Sequence, residues 1–422
     1  MKFFHSHIIL HERCKGHLKC IKGCPTEALR FRHNKLIFFD DLCVDCGECI
    51  NICPENVFVP VINEISDFDK YEYRVAIPSR ILYSQFNSDI HPKLVQEALI
   101  CSGFDEVVDI SKSINELGFA ISEQIKAKTD SKPIISSFCP AVLRLIQVNY
   151  PNLMDLFSPF DVPREITAKE AKKRISAEKG IDINKIGTIY ISPCPAKVVS
   201  IKQPAEKEKS WIDGAVAISD IYKVLLPIIN KLKSEKKAID YKGDFYYGKG
   251  WGILSNVLSH INSEKCLSVI GIDNIKMILD DIEDSKLVNV DYVEAYTCNQ
   301  ACVGGAFCVE NPYISRHNSF LLEKNFGEAA SINKKEVMKK YKEGFLFLDN
   351  PVFPRTTRTL APDLATSIKR MKQKERILSK LPKKDCGLCG APSCETFAQD
   401  CALGEANLSD CVFFQSNPHF KK

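Results

Sequence analysis

The chain has no run of the roughly 18 apolar residues that a membrane-spanning helix needs. It also lacks a dominant charge. Lys and Arg total 57 against 53 Asp and Glu, a formal net charge of +4. That surplus is too small for the concentrated basic stripe of a nucleic-acid binder. There is no low-complexity tract, and no repeat beyond one two-fold pattern near residue 30. The opening MKFFHSHIILHERC makes a poor signal peptide, because His5, His7 and His11 interrupt it and no small-residue cleavage site follows. A cytoplasmic protein without membrane insertion and without nucleic acid is therefore the expectation.

What the chain does have is cysteine, 19 residues in 422. In a reducing compartment these are poor disulfide partners, and both the odd count and the clustering favour metal ligation. Seven lie between Cys14 and Cys53, seven between Cys101 and Cys308, and five between Cys386 and Cys411.

Hydrophobic residues make up 45% and charged residues 26%, as in an ordinary globular protein of two to four domains. The middle of the chain alternates apolar runs with helical periodicity, which predicts α/β layers. Expected strands are 75–77, 133–138, 187–192, 267–272 and 291–296, and expected helices are 91–102, 113–128, 141–150, 219–233 and 274–284. A polar helix over 363–381 is bracketed by Pro362 and Pro382. Its basic residues read as a solvated face.

The N-terminal cysteines form two matching halves. Cys43-Val-Asp-Cys46-Gly-Glu-Cys49-Ile-Asn-Ile-Cys53-Pro54 has the C-x2-C-x2-C-x3-C-P spacing of two-cluster ferredoxins. Three close thiolates wrap one cube, and the fourth crosses to the other cluster. The first half, Cys14-Lys-Gly-His17-Leu-Lys-Cys20-Ile-Lys-Gly-Cys24-Pro25, has the same spacing with His17 at the second position. Cross-ligation assigns Cys14, His17, Cys20 and Cys53 to one 4Fe-4S cluster, and Cys24, Cys43, Cys46 and Cys49 to the other. Imidazole in place of thiolate removes a negative charge and raises the potential. The alternative for the first site is a degenerate one, with a three-iron cluster or none.

At the other end, Cys386-Gly-Leu-Cys389-Gly-Ala-Pro-Ser-Cys394 is followed by Cys411. Glycines 387 and 390 let backbone N–H groups approach a cube. Four thiolates also suit structural zinc. The segment resembles the four-cysteine domain of corrinoid iron–sulfur proteins, which implies a 4Fe-4S cluster. Cys401 falls outside the spacing and reads as a packed thiol, as do Cys101, Cys266 and Cys308. Cys308 is near enough in sequence to line the central site.

Four middle cysteines sit on three loops. Cys139 follows the expected strand 133–138, Cys194 the strand 187–192, and Cys298 and Cys302 the strand 291–296. Loops leaving the carboxyl ends of parallel strands converge on one site. Cys139-Pro140 and Cys194-Pro195 stiffen two of the loops, and Gly304-Gly305 permits close approach to a bulky cofactor.

Three stretches carry a family resemblance. They are Ser136-Ser-Phe-Cys139-Pro140, Ser192-Pro-Cys194-Pro-Ala-Lys197 and Glu294-Ala-Tyr-Thr-Cys298-Asn-Gln-Ala-Cys302-Val-Gly-Gly305. In that order they resemble the H-cluster motifs of iron–iron hydrogenases, over most of residues 70–365. The flanking cysteine segments resemble the sensory or regulatory branch of that family. The resemblance implies an H-cluster-type hydrogenase domain over 67–362, a small ferredoxin-like domain over 1–66, and a small α-helical Fe–S domain over 363–422. It implies that Cys139, Cys194, Cys298 and Cys302 hold a central 4Fe-4S cubane. Cys302 would bridge to a di-iron subsite with CO and CN ligands, and Lys197 would hydrogen-bond a cyanide.

The departures bear on activity. Catalytic relatives place a proton-relay cysteine where this chain has Phe138. Ser192 and Tyr296 stand where methionines are usual, and Ala301 where glycine is. These departures predict a low-turnover or hydrogen-sensing hydrogenase, with H2 as its small-molecule ligand and a protein redox or signalling partner. The rival expectation is a non-catalytic electron-transfer or cluster-handling protein on the same fold, lacking the di-iron subsite.

Overall fold

The computed structural model describes residues 3–129, 132–205, 207–235, 261, 263–326 and 332–416. The chain divides into two compact units: a terminal unit of residues 1–61 with 355–422, and a central unit of residues 62–354. Among the described residues no helix is long and apolar enough to cross a membrane.

In the terminal unit, β1 (His7–Ile9) is to pair with β4, while β2 (Leu29–Arg32) and β3 (Lys35–Phe38) form an antiparallel hairpin. The strand β4 (Phe58–Pro60) runs antiparallel to β1, with Ile8 opposite Val59. His33 and Asn34 join β2 to β3 at φ 49° and 58°. Two positive φ values give the turn whose twist matches a hairpin. Two short helices, Lys19–Gly23 and Glu48–Ile52, repeat one another. Each ends on a cysteine in the same extended conformation, Cys24 at φ −76°, ψ 110° and Cys53 at φ −81°, ψ 110°. The two-fold pattern of the sequence is thus a two-fold of the backbone. The helices touch so closely that a Cβ on Gly23 would lie 2.4 Å from Ile52 Cδ1.

The C-terminal segment adds helices Leu364–Lys380 and Cys394–Leu403, capped by the side chains of Asp363 and Ser393. It docks on β2. Phe31 N–H donates to Gly390 O at 2.8 Å. Arg30 Nε donates to Asp400 at 2.6 Å, and Arg32 reaches the same carboxylate. All three side chains are buried. Breaking a buried ion pair by removing one partner costs about 3–5 kcal/mol, because the other charge is left uncompensated. The two cysteine segments that the sequence suggests as separate small domains therefore share one unit.

The central unit is built on two parallel sheets. The first has the order β6-β5-β8-β9, with β5 at Tyr73–Pro78, β6 at Glu106–Val107, β8 at Ile186–Ser192 and β9 at Gly214–Ala217. The second has the order β10-β11-β7, with β7 at Ile134–Ile135, β10 at Cys266–Ile270 and β11 at Tyr292–Tyr296. All these pairings are parallel, with Val75 opposite Thr188, Ile191 opposite Val216 and Val293 opposite Ile135. Strands β5 and β8 are apolar on both faces, as in a sheet covered on two sides. Ala76, Ile189 and Ile191 pack against helices Pro92–Cys101 and Ile218–Ser234. Val75, Ile77 and Tyr190 pack against helices Pro163–Lys179 and Pro195–Lys202. Ile221, Leu225, Ile229 and Leu232 form the apolar stripe of their helix, each contributing about 1.5–3 kcal/mol of burial.

The α/β expectation and each of its five strands and five helices correspond to observed elements, with shifted ends. The strand expected over 133–138 is only Ile134–Ile135. Beyond it Ser137 Oγ donates to Phe160 O at 3.2 Å and the chain turns towards the site. Cys101 corrects the packed-thiol reading. It is exposed, because it falls outside the buried stripe of Leu94, Val95, Ala98 and Leu99 on its helix.

Candidate metal centres

Three cavities of the terminal unit are ringed by the expected cysteines. The first, about 380 Å³ counted to its open mouth, is lined by Cys14, His17, Cys20 and Cys53. The second, about 390 Å³, is lined by Cys24, Cys43, Cys46 and Cys49. The third, about 320 Å³, is lined by Cys386, Cys389, Cys394 and Cys411. Burial is the main force pushing the Cys20 thiol up to about 12, and it raises those of Cys24, Cys43, Cys46 and Cys49 as well. A metal cluster reverses that bias, since a coordinating thiol is deprotonated outright. Sulfur donors set around small apolar cavities therefore fit iron–sulfur clusters. His17 is the most open of the ring, with its side chain 44% exposed and Nε2 3.9 Å from Glu55 Oε1. Cys401 packs in the C-terminal core, and burial pushes its thiol up to about 12.

One feature beside the second cavity was not legible in the motif. His5 Nδ1 lies 3.1 Å from the buried carboxylate of Asp45, close to Cys43. The only sequence signal is an acidic residue inside the C-x2-C run.

In the central unit the three loops do converge. Cys139 is the N-cap of helix Pro140–Asn149, and Cys194 is the N-cap of helix Pro195–Lys202. Cys302 lies in a short 3-10 turn, Ala301–Gly304, soon after β11. Cys139 Sγ is 3.7 Å from Thr297 Oγ1, which ties the first loop to the third. Phe307 N–H donates to Pro193 O at 2.9 Å, which ties the second to the third. This junction leaves no room for side chains at the paired glycines. A Cβ would lie 2.1 Å from Asn299 O at Gly304 and 2.3 Å from Pro193 O at Gly305.

Lys197 Nζ is 3.2 Å from Cys302 Sγ. Burial opposes the charge on Lys197, but the sulfurs of Cys302, Cys194 and Cys139 and the Tyr190 oxygen outweigh it, so the ammonium is held well above its usual range. Burial pushes the Cys302 thiol up to about 11 against the pull of Lys197. Cys308 does approach the site, with Sγ 3.6 Å from Cys302 O.

Beside Cys302 and Lys197 opens a pocket of about 370 Å³ counted to its mouth. Phe138, 2% exposed, forms part of its wall. Ser192 Oγ donates to Cys194 O at 2.9 Å and so shapes the second loop from within. Tyr296 is buried and donates to Glu294 Oε1 at 2.7 Å. Burial raises the Glu294 carboxyl to about 8. Ala301 sits at φ 59°, a conformation that favours glycine.

The model of the iron only hydrogenase large subunit, C-terminal domain, matches residues 73–250. A 4Fe-4S dicluster domain matches residues 7–54, and a putative Fe-S cluster domain matches residues 381–413. The chain is an iron–iron hydrogenase-like protein. Its flanks are an N-terminal ferredoxin segment and a C-terminal Fe–S segment. The hydrogenase-like chain is 23% identical over 185 residues to the NADP-reducing hydrogenase subunit HndD of Solidesulfovibrio fructosivorans, which is 39% of this chain and 32% of that one. Its last segment is 49% identical over 37 residues to the corrinoid/iron-sulfur protein large subunit of Moorella thermoacetica, 9% of this chain and 8% of that one. The matched stretches thus span a third or less of these curated relatives. A variant of the [FeFe]-hydrogenase HydA1 from Chlamydomonas reinhardtii shares the fold, with a TM-score of 0.51 at 15% identity over 70% of this chain and 97% of that chain. Hydrogenase-like identity, accessory clusters and an iron–sulfur redox role follow at this level.

Proposed function

We propose that this protein is a slow or hydrogen-sensing iron–iron hydrogenase whose accessory clusters pass electrons to a protein partner. The reading is carried by one juxtaposition: Lys197 Nζ lies 3.2 Å from Cys302 Sγ at the edge of a pocket walled by Phe138. Cys139, Cys194, Cys298 and Cys302 would hold a 4Fe-4S cubane, with Cys302 also the link to a di-iron subsite carrying CO and CN. The set of thiols around Lys197, those of Cys139, Cys194 and Cys302, fits such a group, with Cys302 beside Lys197 in the pocket lining. When bound, the di-iron group supplies the redox chemistry of H2.

The residues of the chain set the rate. Lys197, held charged, faces the site as a fixed cation. Phe138 neither donates nor accepts a proton, and its buried ring keeps water from that wall. Protons must take a longer route, and proton transfer is fast only between groups matched in position and pKa. A barrier higher by about 4 kcal/mol makes turnover about a thousandfold slower. The ligand sets read from the sequence would make up the other three clusters, His17 included. The match to a hydrogenase subunit supports a protein as the electron partner.

The buried ring of Phe138 equally favours a second reading, an electron carrier with the cubane and no di-iron subsite. Infrared spectroscopy and viologen-linked hydrogen uptake on protein made with the maturation enzymes separate the two. The proposal expects carbonyl and cyanide bands, weak uptake, and faster uptake in Phe138→Cys. Bands absent in fully matured protein would establish the carrier instead. Wild-type uptake as fast as that of a metabolic hydrogenase would overturn the sensing role.

A further inference from the structure

The helix Leu364–Lys380 of the terminal unit has three distinct faces. Ile377 and Leu378 pack in the C-terminal core. Leu364, Ile368 and Met371, spaced i, i+4, i+7, share a second face and are 77%, 41% and 46% exposed. Lys369, Lys372, Arg376 and Lys380, spaced i, i+3, i+7, i+11, share a third. Residues 364–384 hold eight Lys or Arg against one acidic residue, Glu375. A charge run alone is an ordinary solvated face. This one differs in its neighbours. Lys372, Arg376 and Lys380 follow one another at i, i+4, where like charges repel. Among the described residues none of the four stripe cations takes part in an ion pair, whereas Lys374 meets Glu395 at 2.7 Å. The exposed apolar stripe lies alongside the charges. The helix also leads straight to the third cavity, since Leu381 and Pro382 line it with the four cysteines. Of the cysteines in the three terminal rings, Cys386 alone is exposed, and Leu388, two positions on, is 59% exposed.

We propose that this face, from Leu364 to the exposed lip at Cys386, docks an acidic one-electron carrier protein, and that the C-terminal cluster hands electrons to it. The inference deepens the proposed function: it rests on the accessory clusters and not on the di-iron subsite. The reduced C-terminal cluster loses one electron and the centre of the carrier gains it, with no bond made or broken. Electron transfer weakens steeply with distance, so a carrier does best at the ring with an exposed ligand. Redox encounters bury less than about 1,200 Å² in total, which one helix and a cavity lip supply. Opposite charge speeds such an encounter by about 10- to 1000-fold. A second copy of this chain would bring the same basic face and be repelled.

Acidic plastocyanin is a suitable probe, a small blue-copper protein that bleaches on taking one electron. Basic cytochrome c is its charge control. Full-length protein loaded with cubanes, made without maturation enzymes, is reduced, freed of reductant and mixed with either carrier in a stopped-flow instrument. Plastocyanin should bleach at a rate that falls as salt rises. Lys372→Glu together with Arg376→Glu should slow it by about tenfold and speed the cytochrome. Lys223→Glu together with Lys231→Glu, the same charge change on the exposed side of helix Ile218–Ser234, should leave the rate unchanged. Cys389→Ala should abolish fast transfer while the other clusters still reduce. Cubane absorbance reports the folded state of every variant. An unchanged rate in the Lys372 and Arg376 variant, or equal slowing by the control pair, overturns the docking face. Wild-type transfer in Cys389→Ala moves the exit to another cluster and overturns it too. Binding to phosphatidylserine vesicles that is lost in the Lys372 and Arg376 variant, with plastocyanin reduction unaltered, assigns the helix to a lipid surface instead. No transfer from reduced wild type to either carrier overturns the relay by accessory clusters itself, a failure separate from any result on the di-iron subsite.

Discussion

The terminal and central units both gather sulfur, but by opposite means. In the terminal unit each ring of candidate ligands comes largely from a run of about a dozen residues. Left-handed backbone at Leu18, Asp45, Gly47, Gly387 and Gly390 bends that run around its cavity. In the central unit the four cysteines come from the ends of β7, β8 and β11, and only a completed parallel sheet brings them together. A local site depends on turn chemistry, and an assembled one on the whole fold. The assembled site gains in return a pocket lined by the buried cations Arg80, Arg164 and Lys197.

The largest effect should come from removing one sulfur in each unit. Cys194→Ala should lose about four irons, those of the central cubane, and leave the terminal clusters intact; Cys389→Ala should lose only the C-terminal cluster. Iron analysis with electron paramagnetic resonance of each variant checks this. Loss of terminal clusters in Cys194→Ala would break the distinction. Next come the glycines. In Gly305→Ala the new methyl meets rigid backbone, Pro193 O at 2.3 Å. In Gly23→Ala it meets the movable end of Ile52 at 2.4 Å. Thermal unfolding should show about 1–3 kcal/mol lost for Gly305→Ala and clearly less for Gly23→Ala. A third test concerns charge at a local site. His17→Cys should lower the potential of one ferredoxin cluster at unchanged iron content, since a thiolate adds negative charge. A redox titration with no shift would remove His17 from the ligand set. The smallest effect is expected at Ala301. Relief of a left-handed alanine gains about 1–2 kcal/mol, offset by about 0.4–1 kcal/mol for the entropy of glycine. Chemical denaturation should therefore find Ala301→Gly more stable by about 0.5–1 kcal/mol.

The same contrast decides what the sequence discloses. Cys43 to Pro54 declares a candidate site by spacing alone, because three of the four cysteines around that cavity, Cys43, Cys46 and Cys49, are close neighbours in sequence. The central site is readable only as three motifs in order. Its strands were visible because β8, with Ile186, Ile189 and Ile191, is continuously apolar. Strand β9, Gly-Ala-Val-Ala, is too short and too small in side chain to show a period, and β6 has two residues. Helix Pro163–Lys179 is obscured by its charged C-terminal half, although its first turn is buried and carries Arg164. Arg80 and Arg164 lie 84 positions apart in sequence, and neither has a local pattern. Their meeting at Cys302 is a product of the fold, and so is the pairing of Arg30 with Asp400.

That last pairing has a consequence for how the protein is made. The terminal unit is split in sequence, with the whole central unit inserted between its parts. At about 5–20 residues per second, the ribosome needs roughly 15–60 s to pass from one part to the other. Through that interval the nascent ferredoxin segment has Arg30 and Arg32 without their carboxylate and β2 without the backbone of Gly390. The unit is completed only when residues 355–422 emerge. Insertion thus makes completion of one small unit wait on synthesis of the whole central unit.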